Sequence, residues 1–207
     1  MIGLYLMPGS CALSCHVALE WAGADYEVVS LGHDEIHEDA YLAINPKGKV
    51  PALRLDDGTI ITEASAILVW IAETYDPSLY GRTPHERAAV LEALSELAGE
   101  MHPAFFPLHV PGRYVVDEDA EASAKQAAVR CVREHFDRWN ERMTDRDWVV
   151  GRERGRRSIG DAYLFAMCRW TDTIGATIDE WPALRRFVSR MWADQGVRDA
   201  LTAEDLD

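Results

Sequence analysis

Two cysteines lie one helical turn apart near the start of the chain, in the stretch LYLMPGSCALSCHVALEWAG. Cys11 follows a Pro-Gly pair and comes just before apolar residues with helical spacing. Free N–H groups at a helix start favour a thiolate, which is the nucleophilic form of a thiol. The spacing leaves three roles open for Cys11: a reactive thiol, a buried structural thiol, or one half of a redox pair with Cys15.

A helix start alone is too weak to ionise Cys11 at neutral pH. Lowering a thiol pKa from about 8.5 by about two units requires roughly 2.7 kcal/mol, whereas the helix dipole contributes about 0.3–1 kcal/mol. A hydrogen bond from a charged or well-placed donor contributes about 1.5–3 kcal/mol. A reactive Cys11 therefore needs a second partner, such as a histidine.

The stretch GKVPAL offers a backbone binding site. A cis bond between Val50 and Pro51 would turn the Val50 backbone N–H and C=O away from the sheet. Such a pair can bind an extended peptide as an added strand. The alternative is an ordinary trans proline entering an edge strand.

The stretch TEASAILVW offers a site for a zwitterion. If a helix begins near Ala64, its free N–H groups can bind a carboxylate, and Glu63 can receive an ammonium group. The alternative is that Thr62 or Glu63 only caps the helix.

The elements that must position these residues change in kind along the chain. Residues 2–7 and 26–31 are β-rich and flank a helical segment that Gly23 ends. Asp56-Asp57-Gly58 between VPALRL and TIIT is a hairpin signal, and a helix follows from about residue 64 to 75. This βαβ-ββα order predicts a thioredoxin-like domain over residues 1–76, with a linker at 77–84.

Residues 85–207 are predicted to form an all-α domain. Two apolar stripes recur at steps of three and four residues, and SIGDAYLFAMCRW begins with a capping-box spacing. The stripes contain Leu91, Leu94, Leu97, Ala98, Met101 and Phe105, then Ala124, Ala128, Cys131, Val132, His135 and Trp139. Cys131 and Cys168 are interpreted as core residues. A further helix is expected to start at Trp181-Pro182.

Composition excludes several classes of function. A net charge of −14 argues against nucleic acid or an anionic membrane as the main partner, although two of the three lysines, Lys47 and Lys49, lie close together. No apolar run is long enough to cross a bilayer, and no signal peptide is evident. Four cysteines without zinc-type spacing are expected to be thiols, so we expect a cytoplasmic protein without a metal.

Five blocks together resemble a bacterial beta-class glutathione transferase: YLMPGSCALSCHVALEWAG, LAINPKGKVPAL, DGTIITEASAILVWIAE, EMHPAFFPL and SIGDAYLF. The resemblance covers essentially the whole chain. It implies a thioredoxin-like domain that binds glutathione, a helical domain with a pocket for a second substrate, and a homodimer. The implied reaction adds the glutathione thiolate to small hydrophobic electrophiles in detoxification, with thiol-transferase or peroxidase activity as competing possibilities.

The resemblance also implies roles for single residues. Cys11 would lie at the glutathione sulfur with His102 of EMHPAFFPL beside it. Val50, before Pro51, would pair with the cysteinyl backbone of glutathione. Glu63 and the N–H of Ala64 would hold the γ-glutamyl end. Tyr5 matches a family tyrosine and is a weaker catalytic candidate. Lys47, Lys49 or Arg113 is a candidate to contact a glutathione carboxylate in place of a lysine that relatives carry after the second strand.

Two departures from the family pattern affect this site. The loop LGHDEIHEDA is acidic where relatives often carry lysine, so we predict millimolar glutathione affinity, which is roughly 4 kcal/mol of binding free energy. Cys15 replaces a common proline and would be either a small helical side chain or a resolving thiol.

Two other classes of function remain open. The chain could be a non-catalytic binder of hydrophobic ligands, with Met101, Phe105, Phe106 and Tyr114 around its pocket. It could also be a protein-interaction module that kept the fold and lost glutathione.

Overall fold

A four-stranded mixed sheet forms the first part of the chain. The computed structural model describes residues 1–150 and 156–206. The strands are β1 (Ile2–Leu6), β2 (Tyr26–Ser30), β3 (Ala52–Arg54) and β4 (Ile60–Thr62), in the order β2-β1-β3-β4. β1 is parallel to β2 and antiparallel to β3, and β3 is antiparallel to β4. This is the predicted thioredoxin-like arrangement.

The end of the first helix and the turn of the β3–β4 hairpin lie where the sequence predicts them. Helix α1 (Leu13–Ala22) joins β1 to β2 and ends at Gly23, whose φ of 62° is left-handed. In the β3–β4 hairpin, the Asp57 carboxylate accepts the N–H of Thr59 at 2.9 Å, and Gly58 has a φ of 84°. A short helix α2 (Asp39–Leu42) lies in the connection between β2 and β3, and α3 (Ala64–Tyr75) follows β4.

The rest of the described chain is helical, which confirms the predicted fold class. The helices are α4 (Pro84–Glu96), α5 (His102–Ala104), α6 (Phe106–His109), α7 (Glu118–Arg142), α8 (Ile159–Cys168), α9 (Pro182–Ala193) and α10 (Gln195–Ala203). A π-helical turn (Leu97–Met101) connects α4 to α5. Within the described residues, no helix is both long and apolar enough to span a membrane.

Helix α8 is the centre of the core. All its residues are buried, and it packs against α1, α4 and α9. The predicted capping box holds its start, since the Asp161 carboxylate accepts the Ser158 N–H and hydroxyl at 2.7 Å each. The Val149 N–H donates to the same carboxylate at 2.7 Å, so Asp161 also fixes the preceding loop.

Two residues that were predicted to lie on the buried apolar stripes are exposed, so the prediction is wrong for them. Leu91 is 46% exposed, because Val90, Ala93 and Leu94 form the buried face of α4 and Leu91 lies outside that face. Cys131 is exposed, because the next residue of α7, Val132, faces the core in its place. Cys168 is buried as predicted.

The loop before α1 is tied to the C-terminal part of the chain. His16 Nδ1 lies 2.8 Å from Glu204 Oε1, and both side chains are buried. The Gly9 N–H donates to Glu204 Oε2 at 3.0 Å, and the Gly9 carbonyl accepts a hydrogen bond from Trp170 Nε1–H at 2.9 Å. These contacts fix the loop that carries Cys11.

Candidate active site

Cys11 lies in the turn that leads into α1, at the junction of the sheet and the helical domain. Its thiol is 6% exposed, and Sγ is 3.8 Å from the Val50 carbonyl oxygen, to which it donates. The Ser10 hydroxyl accepts the N–H of Ala12 at 3.2 Å and holds the turn. Cys11 therefore lies next to the Val50–Pro51 bond.

Burial disfavours the thiolate form of Cys11. Burial raises its pKa to about 12, because lost hydration outweighs the favourable backbone hydrogen bond and the positive charge of Lys49. The nearby carboxylate of Glu63 raises it further. In this structure Cys11 is a neutral thiol at physiological pH and a hydrogen-bond donor.

His102 follows the π-helical turn and begins α5. Its Nδ1 lies 3.1 Å from the Tyr163 hydroxyl, and its ring packs against those of Phe106 and Trp170, with centroids 5.1 Å away in each case. Burial lowers its pKa to about 4, with Lys49 and His109 adding to the effect. His102 is thus a neutral imidazole at pH 7 and cannot ionise Cys11 through a positive charge.

The Val50–Pro51 peptide bond is cis, as one of the two sequence interpretations requires. The carbonyl of the preceding residue, Lys49, accepts two hydrogen bonds, from Tyr41 Oη at 2.7 Å and Asn45 Nδ2 at 2.6 Å. These buried side chains hold the segment in place.

Glu63 has an unusual backbone just before α3. Its φ is 74°, a region that non-glycine residues enter rarely and mostly at sites of functional constraint. Its carboxylate forms an ion pair with Lys47 Nζ at 2.6 Å, and Lys47 also donates to Thr62 Oγ1 at 3.1 Å. Among the described residues no side chain caps α3, so the capping alternative is wrong. Uncapped N–H groups at the start of a helix can bind an anion.

A cavity of about 250 Å³ brings most of the predicted site residues together. Its walls include Cys11, Lys49, Val50, Pro51, Glu63, Ala64 and His102. Tyr5 does not line this cavity. Its side chain is buried, and its ring centroid lies 5.8 Å from that of Tyr41. Cys15 is fully buried and does not line the cavity. Its Sγ lies 3.8 Å from the carbonyl oxygen of Ala64, one of the lining residues.

A second cavity of about 730 Å³ opens beside the first. The two share the side chains of Cys11, Lys49, Val50, His102 and Phe106. Phe105 and Phe106 line the larger cavity, as the sequence suggested for a ligand pocket, whereas Met101 is buried away from it and Tyr114 is 52% exposed to solvent.

Sequence reasoning missed Tyr163, Asn45 and the pairing of Lys47 with Glu63. Tyr163 lies in the SIGDAYLF block, but its contact with His102 spans 61 residues and has no local signal. Across residues 1–150 and 156–206, no three His, Cys, Asp or Glu side chains are grouped so that they could hold a metal ion.

Comparisons with known proteins agree with this geometry. Residues 9–74 match the family model described as the glutathione S-transferase N-terminal domain, and residues 122–190 match the C-terminal domain. Glutathione S-transferase GstA of Escherichia coli O157:H7 is 34% identical over 98% of both chains.

Two solved structures give the same result. A bacterial beta-class glutathione S-transferase of Sphingomonas chungbukensis is 35% identical, with a TM-score of 0.87 over 99% of this chain and 100% of its own. A sphingomonad glutathione S-transferase complexed with glutathione is 33% identical, with a TM-score of 0.86 and the same coverage. The chain belongs to the glutathione S-transferase family.

Proposed function

We propose that this glutathione transferase binds glutathione in the smaller cavity and transfers its sulfur to an electrophile held in the larger one. The observation that carries the proposal is the junction of the two cavities, where Cys11 and His102 form part of both walls. A sulfur atom placed beside Cys11 would face the second cavity directly.

The smaller cavity provides a complementary group for each part of glutathione. The backbone of Val50 would pair with the cysteinyl unit as an added strand. Glu63 would bind the ammonium of the γ-glutamyl end, and the free N–H groups at the start of α3, including that of Ala64, would bind its carboxylate. Lys49 would offset the negative charge of the other carboxylate.

Cys11 would act as a hydrogen-bond donor to the glutathione sulfur. A neutral S–H group beside the sulfur stabilises the thiolate form of glutathione, which then attacks the electrophilic carbon, while the glutathione proton leaves to solvent. The raised pKa of Cys11 supports this role over exchange through a Cys11–glutathione disulfide, which needs a Cys11 thiolate.

The proposal is tested by the pKa of bound glutathione. We expect the ultraviolet absorbance of the thiolate to appear at lower pH in the complex than in free glutathione, and Cys11→Ala to shift it upward. The conjugation rate with 1-chloro-2,4-dinitrobenzene should fall about tenfold or more in that variant, because a hydrogen bond to a charged group is lost. Cys131→Ala, an exposed control, should match the wild type. Equal rates for Cys11→Ala and the wild type would contradict the role of Cys11.

We also propose that the protein is a cytoplasmic homodimer with domains at residues 1–76 and 85–207. The family resemblance and the exposed apolar side chain of Leu91 on α4 support a dimer, and four free thiols suit a reducing compartment. Sedimentation should give about twice the chain mass of 23.2 kDa. A mass equal to that of one chain would contradict the dimer.

A further inference from the structure

The larger cavity carries positive charge in a protein of net charge −14. Its walls include three cations (Lys49, Arg113 and Arg169) and four histidines (His33, His37, His102 and His109). Asp172 is the single carboxylate side chain that lines it among the described residues. The electrostatic character of this cavity is therefore opposite to that of the protein as a whole.

Two of the three cations of this cavity remain available to a ligand. Lys49 Nζ lies over the ring of Phe106, 5.8 Å from its centroid, and Arg113 is exposed; neither forms an ion pair in the described structure. Arg169 stacks over Trp192 at 5.4 Å and reaches the Leu206 carbonyl at 3.4 Å. Lys47 differs from them, because Glu63 neutralises it at 2.6 Å.

Asp172 does not cancel this charge. The buried carboxylate of Glu204 and that of Asp172 both act on Arg169, so this one cation of the three is balanced by neighbouring carboxylates. Arg113 remains for the second substrate, since Lys49 is assigned to glutathione, and the imidazole N–H groups of the histidines can donate hydrogen bonds. An anion entering this cavity would meet more donors than acceptors.

Part of the remaining wall is aromatic. Phe105, Phe106 and Trp170 line the cavity beside His102, at the junction with the smaller cavity. A flat or unsaturated group can pack on these rings near the glutathione sulfur. One ligand can therefore present its reactive carbon at the junction while its charged end faces the cations.

We propose that the second substrate is an electrophile that carries a carboxylate, held by Arg113 with its unsaturated body against Phe106 and Trp170. This inference deepens the proposed function and rests on it for the reaction. In the reaction the glutathione sulfur forms a bond to the electrophilic carbon. With an aryl chloride, the carbon–chlorine bond breaks, chloride leaves with the electron pair, and the thiol proton passes to solvent.

Binding of unreactive probes tests the charge preference without requiring turnover. We would titrate 3,5-dinitrobenzoate and the uncharged 3,5-dinitrobenzamide into the full chain by calorimetry. The carboxylate should bind about fivefold more tightly than the amide, and the preference should shrink when salt is raised from about 0.01 M to about 0.5 M.

Single variants locate the preference. Arg113→Gln should reduce it to less than about twofold, and Arg169→Gln removes the other arginine that lines the cavity. Arg130→Gln, an exposed arginine on α7 outside the cavity, is the matched control and should retain the preference. Equal binding of the two probes, no binding of either, or a preference that survives both cavity variants would overturn the inference.

Turnover separates this inference from the proposed function. Conjugation of 4-chloro-3,5-dinitrobenzoate and its amide is compared as the ratio of enzymatic to uncatalysed rate, which corrects for intrinsic reactivity. We expect the ratio to favour the carboxylate in the wild type and to lose that bias in Arg113→Gln. Tighter binding of the carboxylate probe without conjugation of either acceptor would support the anion site and refute the transferase reaction. Conjugation that favours the amide would refute the inference alone.

Discussion

Alkylation of Cys11 in the ligand-free protein should be slow. With a pKa of about 12, only about one Cys11 in ten thousand is a thiolate at pH 8, whereas about a quarter of an ordinary thiol with a pKa near 8.5 is ionised. Because the thiolate is the form that reacts, iodoacetamide should modify Cys11 about a thousandfold more slowly than free cysteine. The 6% exposure of Cys11 slows it further.

Mass spectrometry with peptide mapping measures this at each cysteine. Exposed Cys131 should react first, while Cys11, Cys15 and Cys168 should stay unmodified as long as the protein is folded. Cys131→Ser removes the fast site and makes any slow modification of Cys11 visible. Repeating the reaction in denaturant should bring all thiols to similar rates.

Rapid alkylation of Cys11 would refute the reasoning. A rate equal to that of Cys131 at pH 8, with half-maximal reactivity below pH 8.5, would mean that Cys11 is an activated thiolate. Thiol exchange with glutathione would then replace hydrogen-bond donation as its expected role.

Three further predictions concern buried polar groups. His102 should titrate near pH 4 in NMR spectra, because burial disfavours its charged form, and a midpoint above 6.5 would contradict this. His102 of the unfolded chain takes up a proton below about pH 6.5, whereas His102 of the folded chain does so only near pH 4. The free energy of unfolding should therefore fall as the pH drops from 6.5 to 4. An equally steep fall in the His102→Gln variant would contradict this assignment to His102. Asp161→Ala should lower the free energy of unfolding by about 3 kcal/mol, because three donors lose their acceptor, against about 1 kcal/mol for Ser158→Ala; equal denaturation midpoints would refute it. His16→Ala should cost about 3 kcal/mol by leaving the buried carboxylate of Glu204 without its histidine, whereas exposed His85→Ala should have little effect.

Features set by neighbouring residues could be predicted from the sequence. Gly23 ends α1 through a left-handed backbone, Asp57 and Gly58 form the hairpin turn, and Ser158 with Asp161 caps α8. Each depends on contacts within a few residues, so the residue types determine the geometry. The start of α3 at Ala64 could be predicted from the apolar pattern of the helix, without a capping side chain among the described residues.

Features set by distant packing could not be predicted. The pKa of Cys11 depends on how completely α1, the Val50 segment and the helical domain exclude water from the thiol. The contact of His102 with Tyr163 depends on the packing of α8. Cys131 fits the apolar stripe of α7 in sequence, but only the packed structure shows that its face is exposed.

The central claim is that the smaller cavity binds glutathione through Glu63 and the start of α3. Calorimetric titration of reduced glutathione into the wild type tests it most directly, together with Glu63→Gln and the exposed control Glu73→Gln on the same helix. We predict saturable binding with a millimolar dissociation constant, weakened about tenfold by Glu63→Gln and unchanged in the control. No binding to the folded wild type, or equal binding by wild type and Glu63→Gln, would contradict the account.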